Sequence, residues 1–178
     1  MDFIGDYLYF APSHEVADIH SKVAPVYMYE FAHRRTKGNR NKEWIGVVHG
    51  ANVPYEFGLP FYPGLSSDFD AGDRNVSLFL MELYVNFAKS GDPTPQPVSG
   101  VTWEEYNSSH RAYLRLDVHP KMAAVFAPRR MAFWNDYYPK LAQVKFDTRK
   151  KIVSGANVDV AMAMFLKVLL MIVFFVLY

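Results

Sequence analysis

The order of apolar and polar residues predicts two β-strands and one further strand-like run. Large apolar and aromatic side chains dominate residues 26–33, VYMYEFAH, and residues 112–116, AYLRL, and this composition is typical of strands. After a charged loop, residues 43–50, EWIGVVHG, form an apolar run with His49 near its end and Gly50 directly after it. The run predicts a buried strand that carries a titratable ring at its end.

Apolar residues at helical spacing predict three helices. The first is short and begins at Ser13, a residue type that caps helix N-termini. The second runs from about Asp73 to Ser90 and ends at Gly91, a typical helix terminator. The third covers residues 129–141, and Pro128 before it favours a first helical turn.

Strands that alternate with helices predict an α/β layer structure. Two convincing strands are too few for a self-standing sheet with helices on both faces. The sequence therefore predicts part of a larger α/β domain over residues 1–143, then a polar stalk over 144–157 and a hydrophobic tail over 158–178.

The hydrophobic tail predicts attachment to a membrane. Residues 160–178 are almost wholly apolar, and their number is close to the roughly 20 that cross a bilayer as a helix. Small residues from Ser154 to Ala156 precede the tail, which is the pattern of a glycosylphosphatidylinositol (GPI) attachment signal with Ser154 as the acceptor. The alternative is a spanning helix, which would place Lys167 in the bilayer at a cost of about 2.5–3.5 kcal/mol.

Membrane attachment would imply export through the secretory pathway to the extracellular face of the plasma membrane. In that setting Asn75-Val76-Ser77 and Asn107-Ser108-Ser109 become candidate N-glycosylation sites.

Composition and charge narrow the function further. The chain of 178 residues is 51% hydrophobic and 16% aromatic, enough apolar material for a folded core. Its net charge of +1, with scattered basic residues, argues against nucleic acid as a partner. The chain has no cysteine, which excludes disulfides, thiol catalysis and thiolate zinc sites.

His49 is the candidate for chemistry. A histidine at the end of a strand, followed by glycine, can act as a general base on a rigid element while its ring faces a cleft. A purely structural histidine is the alternative, because catalysis requires partners within hydrogen-bond reach. The remaining histidines are expected to be structural or at the surface: His14, His20, His33, His110 and His119. No grouping of ligand-type residues predicts a metal site, and no cofactor is expected.

Six segments give the chain a specific resemblance. They are GDYLYFAPSHEVAD, VYMYEFAHR, WIGVVHGANVPYEFGLPF, NFAKSGDPTP, TWEEYNSSHRAYLRL and RRMAFWNDYYPKL. In this order and at about this spacing they resemble the C-terminal third of the type-B carboxylesterase and cholinesterase-like family, over residues 4–141. The resemblance implies the C-terminal portion of an α/β-hydrolase fold.

The resemblance implies that His49 is the general base of a serine triad. In α/β-hydrolases the triad runs serine, acid, histidine along the chain, with the serine in a Gly-x-Ser-x-Gly turn. The sequence contains no Gly-x-Ser-x-Gly, and the family's acid would precede Met1. The chain thus holds one of three triad members and is expected to be inactive alone, with catalysis of small carboxylic esters belonging to a longer protein.

Two departures from the family pattern bear on specificity. Cholinesterases typically place Tyr-Glu after the His-Gly step, where this chain has Ala51-Asn52, so a pocket for a choline group is weakened. The family's last disulfide would place cysteines near Ala11 and Met131, and both are missing together.

Three functions remain open. The first is a membrane-tethered serine esterase, represented by its C-terminal part. The second is a catalytically inactive, neuroligin-like adhesion protein at the cell surface. The third is a structural fragment without activity. The resemblance also implies a possible homodimer through the last helix, in which Phe133 and Trp134 would serve either the interface or the core.

Overall fold

A three-stranded mixed sheet forms the centre of the protein, in a computed structural model that describes residues 2–38 and 41–141. Strand β1, Tyr29–Phe31, runs parallel to β2, Ala112–Leu116, with Tyr29 opposite Leu114. Strand β3, Lys121–Ala124, pairs with β2 in the antiparallel direction. The strand order is β1-β2-β3, so β2 is central.

Three longer helices pack around this sheet. The leading helix contains an α-helical turn Asp2–Gly5, a π-helical segment Asp6–Phe10 and an α-helix Ala11–His20. The central helix is Ala71–Ser90. The distal helix contains Pro128–Ala132, a π-helical segment Phe133–Tyr137, and Tyr138–Leu141. Short helical turns lie between them, at Glu43–Ile45, Val53–Glu56, Leu59–Phe61 and Ser66–Asp68.

Capping residues define both ends of the central helix. Asp70 and Asp73 form a reciprocal capping box, in which each carboxylate accepts a hydrogen bond from the other residue's backbone N–H. Gly91 ends the helix with φ 78°, a conformation that favours glycine, and its N–H donates to the Phe87 carbonyl.

The apolar face of the central helix packs on the sheet and forms the main core. Leu80 and Leu83 from the helix and Leu114 and Leu116 from β2 are fully buried in the same cluster. A separate cluster joins the leading and distal helices through Ala11, Met131 and Trp134. Burial of these side chains is the main force that holds the elements together.

Polar contacts also hold the leading and distal helices together. Arg130 donates a 2.7 Å hydrogen bond to the buried Asp6 carboxylate. The Asn135 side chain donates to the Ala11 carbonyl at 3.0 Å. The resemblance placed the family's last disulfide near Ala11 and Met131, and these two side chains do lie in one cluster.

Several predicted elements differ from the structure. The strand predicted over residues 26–33 covers only Tyr29–Phe31. The run 43–50 is not a strand, because Gly46 and Gly50 have φ 73° and 77° and turn the chain away from the extended conformation. Ser13 does not cap a helix, because the leading helix begins at Asp2 and Ser13 lies buried within it.

Strand β3 was not predicted, whereas β2 was predicted with its correct bounds. The stalk 144–157, the tail 158–178 and Ser154 lie outside the described residues. Within residues 2–38 and 41–141, no helix has both the length and the apolar character needed to cross a bilayer.

Candidate active site

His49 lies in a turn at the wall of a cleft, not at the buried end of a strand. The turn follows Glu43–Ile45 and is bounded by Gly46 and Gly50, which both have positive φ. The His49 side chain is exposed and lines a cleft of about 710 Å³. The ring is therefore open to a reacting group, as a general base requires.

The His49 imidazole stacks on the ring of Tyr9 from the leading helix. The two ring centroids are 4.2 Å apart and the ring planes differ by 11°. Tyr9 also lines the cleft and lies in the π-helical segment Asp6–Phe10. One face of the imidazole is thus covered by an aromatic ring.

Charged side chains line the cleft. Glu30, from β1, lies 3.7 Å from the guanidinium of Arg115, which also pairs with Asp117. Burial raises the pKa of Glu30 above its usual range, and the positive charge of Arg115 opposes part of that rise. Arg130, paired with Asp6, completes the charged lining.

A buried polar network supports the segment that follows His49. Asn52 is 1% exposed, and its amide donates to the Tyr29 hydroxyl at 3.1 Å and also to the Glu56 carboxylate. The Tyr84 hydroxyl donates to the same carboxylate at 3.2 Å. Burial raises the pKa of Glu56, and the hydrogen bonds from Tyr84 and Asn52 oppose the rise.

A second network ties this segment to the central helix. The Asp73 carboxylate, fully buried, accepts hydrogen bonds from the Tyr55 hydroxyl and from the His33 ring, both at 2.7 Å. Ser77 donates to the Tyr55 carbonyl at 2.6 Å. Burial and the neighbouring Asp73 carboxylate raise the pKa of Tyr55. The backbone that carries His49 is therefore anchored a few residues downstream.

The other histidines do not line this cleft. The His14 ring is buried and bonds to the Phe10 carbonyl at 2.8 Å, and burial lowers its pKa. His33 pairs with Asp73, whereas His110 and His119 are exposed. Among the described residues, no group of three histidine, aspartate or glutamate side chains could hold a metal ion.

The two candidate glycosylation sites differ in their surroundings. Asn75 is exposed on the central helix, but the Ser77 hydroxyl of its triplet is fully buried. Asn107 and Ser109 are both exposed, and the Asn107 side chain accepts hydrogen bonds within its own turn, from Ser109 and His110.

His49 lines the cleft without a residue of nucleophile type beside it. Within the part of the chain that the structure describes, the residues that line it include no serine, threonine or cysteine. The sequence singled out His49, which lines the cleft, but not Tyr9 or Glu30, which line it too, nor Glu56 in the network behind it. Tyr9 comes from a helix 40 positions upstream, and its role depends on a helical phase that sequence spacing does not reveal.

The cleft and sheet are consistent with one wall of a hydrolase site, and comparison with known proteins identifies the family. The model of the carboxylesterase family matches residues 1–134. This chain belongs to the carboxylesterase family, whose fold is the α/β-hydrolase fold.

Three relatives that carry different names are similar to this chain in sequence. Acetylcholinesterase of Leptinotarsa decemlineata is 34% identical over 143 residues, which cover 79% of this chain and 22% of that protein. Rat acylcarnitine hydrolase is 30% identical over 143 residues, covering 80% and 25%. Human neuroligin-2 is 29% identical over 153 residues, covering 76% and 18%. The chain spans a quarter or less of the length of these relatives.

Proposed function

We propose that this chain supplies the general-base histidine, His49, of a serine carboxylic-ester hydrolase of the carboxylesterase or cholinesterase type. The serine nucleophile and the triad acid would come from residues outside this chain. The observation that carries the proposal is the exposed imidazole of His49 at the wall of a cleft, in a chain of the carboxylesterase family.

The chemistry follows from the open edge of the ring. A general base accepts the proton of a serine hydroxyl as the oxygen attacks the ester carbonyl, and then returns it to the leaving alcohol. Both transfers use a ring nitrogen, which lies at the edge of the imidazole. The stack on Tyr9 covers a face and leaves that edge available.

The residues after His49 favour a general ester substrate over choline esters. Ala51 packs against the main core and offers no aromatic surface to a cationic group. Asn52 is buried and bonded to Tyr29. A small carboxylic ester without a quaternary ammonium group therefore suits this segment better.

The test uses the protein that contains this chain together with the remainder of the hydrolase domain. A fluorophosphonate probe should label its serine, and His49→Ala should abolish labelling because the hydroxyl is no longer activated. The matched control is His119→Ala, since His119 is an exposed histidine in the turn between β2 and β3. Equal labelling of wild type and His49→Ala would contradict the proposal.

A non-catalytic adhesion protein is the second candidate, and the similarity to neuroligin-2 favours it. His49 does not distinguish the two, because the resemblance extends to adhesion relatives. The residue at the position of the nucleophile distinguishes the esterase from the adhesion protein. A protein with no fluorophosphonate labelling and no serine in that position would support the adhesion function.

Location and assembly remain part of the proposal. Membrane attachment at the extracellular face through the tail, by GPI or a spanning helix, would agree with the family. A homodimer through the distal helix is supported by the exposure of Phe133, Tyr137 and Leu141. Trp134, in contrast, is only 8% exposed and belongs to the core between the helices.

A further inference from the structure

We propose that Tyr9 is a positioning residue for His49: its ring covers one face of the imidazole and fixes the plane in which the base exchanges its proton. The inference rests on the proposed function, in which His49 is the general base. It adds to that function a residue of the leading helix, whose contact with His49 can be measured separately.

The geometry is that of a stacked aromatic pair. A centroid distance of 4.2 Å and an interplanar angle of 11° place the two rings face to face within van der Waals contact. Rotation of the imidazole out of this plane would break the contact. The two nitrogens lie in the ring plane, where hydrogen bonds to a histidine form. Tyr9 can therefore restrict the ring without obstructing a serine hydroxyl that approaches its edge.

His49 has little else to orient it. Within residues 2–38 and 41–141, its ring takes part in no hydrogen bond, and its backbone lies in a turn between Gly46 and Gly50. An exposed histidine in such a turn would otherwise sample several rotamers. The stack on Tyr9 is thus the contact that selects one orientation.

The backbone holds Tyr9 firmly in place. Tyr9 lies in a π-helical segment, where the Ala11 N–H bonds to the Asp6 carbonyl, five residues earlier. Short π-helical segments inside α-helices are frequent at functional sites, because the wider turn changes where the side chains project. The residues around Tyr9 are anchored to other elements. Asp6 binds Arg130 at 2.7 Å, and Phe10 stacks on Phe126 at 4.6 Å.

The first experiment measures the stack itself in the full 178-residue chain, labelled at histidine for NMR. The carbon-bound protons of the His49 ring should resonate upfield of those of the exposed His119, because they lie over the face of Tyr9. Tyr9→Leu should abolish this upfield shift, whereas Tyr9→Phe, which keeps the ring, should retain it. A His49 spectrum identical in wild type and Tyr9→Leu would overturn the proposal.

The second experiment measures turnover in the protein that contains the whole hydrolase domain. Tyr9→Leu should lower kcat by about five- to tenfold with little change in KM, since a disordered base is less often aligned with the serine. Tyr9→Phe should keep the wild-type kcat, because it retains the ring. Tyr7→Leu is the matched control, because Tyr7 is on the same helix but packs on Trp134 and is not among the residues that line the cleft. Unchanged kcat in Tyr9→Leu would overturn the positioning role.

The two experiments separate this inference from the proposed function. If the fluorophosphonate probe fails to label the wild-type protein, the esterase function fails whatever the spectrum of His49. If the probe labels the wild type and neither the His49 resonances nor kcat respond to Tyr9→Leu, the esterase function stands and the role of Tyr9 is refuted.

Discussion

The Tyr55 hydroxyl donates a 2.7 Å hydrogen bond to Oδ1 of Asp73, which joins the segment after His49 to the first turn of the central helix. The same oxygen accepts a hydrogen bond from the ring of His33, two residues after β1. Oδ2 of Asp73 accepts the Asp70 N–H at 2.8 Å. One carboxylate thus satisfies three donors from three different parts of the chain.

We predict that Asp73→Ala lowers the free energy of unfolding by at least about 3 kcal/mol, because it leaves buried donors without an acceptor and removes part of the capping box. Tyr55→Phe removes one hydroxyl and should cost only about 1–2 kcal/mol. Urea denaturation of the full chain measures both. Asp68→Ala, an exposed carboxylate nearby, serves as control, and a smaller loss in Asp73→Ala than in Tyr55→Phe would contradict this account.

The Glu56 network predicts a stability that falls as pH rises. Burial raises the folded-state pKa of Glu56 above 4.5, so the folded protein binds this proton more tightly than the unfolded chain. Between the unfolded and the folded pKa, the folded state holds more protons, and the free energy of unfolding decreases with increasing pH. Burial disfavours the charged carboxylate, so this contribution to stability is present below the unfolded pKa and is lost as the pH rises through the folded pKa.

Glu56→Gln should therefore raise stability at pH 7 relative to wild type and flatten this dependence above pH 4.5, because the neutral amide can still accept from Tyr84. Unfolding by urea at a series of pH values measures the effect. The control is Glu82→Gln, an exposed residue of the central helix, which should leave the dependence unchanged. A Glu56→Gln curve parallel to wild type would refute the prediction.

The sequence predicted correctly the elements whose bounds are set by residues close together along the chain. Strand β2 was predicted with its exact bounds, since Leu114 and Leu116 alternate with half-buried residues along the strand. The central helix was predicted within two residues of its start from apolar spacing, and its end was predicted correctly because Gly91 is a strong terminator; its N-cap, Asp70, was not recognised. Strand β3 escaped detection because its sequence, Lys-Met-Ala-Ala, lacks the β-branched and aromatic residues that mark strands.

In the candidate site, too, the local motif could be recognised from the sequence and the tertiary contact could not. His49 was singled out because the motif around it is specific, but the strand predicted there is wrong, since the four apolar residues of the run outweighed Gly46 and Gly50 in the pattern. The contact with Tyr9 depends on a π-helical segment and on tertiary packing. No spacing rule along the chain encodes such a contact between residues 9 and 49.

The cluster between the leading and distal helices predicts that a disulfide can be introduced. Ala11 and Met131 are 4% and 2% exposed and lie in one cluster, where the resemblance places the family's last disulfide. Under oxidising conditions, Ala11→Cys with Met131→Cys should cross-link and close a loop of roughly 120 residues, which the chain-entropy model values at up to about 5 kcal/mol.

Faster migration on a non-reducing gel, reversed by dithiothreitol, would reveal the bond, and urea denaturation would measure the gain. Ala11→Cys alone is the control for effects of the substitution on packing. Two thiols that stay free under oxidation would show that the helices are farther apart than this cluster implies.

The two candidate glycosylation sites are predicted to behave differently in the folded protein. An oligosaccharyltransferase must reach both the asparagine amide and the hydroxyl of the triplet. In Asn75-Val76-Ser77 the hydroxyl is fully buried and donates to the Tyr55 carbonyl at 2.6 Å, whereas Asn107 and Ser109 are exposed. Asn75 is thus open to modification only before the central helix packs.

Offered to oligosaccharyltransferase as folded, unglycosylated protein, the chain should accept a glycan at Asn107 and not at Asn75, as read by glycopeptide mass spectrometry. The same chain unfolded in urea and diluted into the reaction should accept at both positions. Asn107→Gln is the control, which should leave the folded protein unmodified. Modification of Asn75 in the folded protein at the same rate as Asn107 would mean that the Ser77 hydroxyl is released from Tyr55 far more readily than its burial indicates.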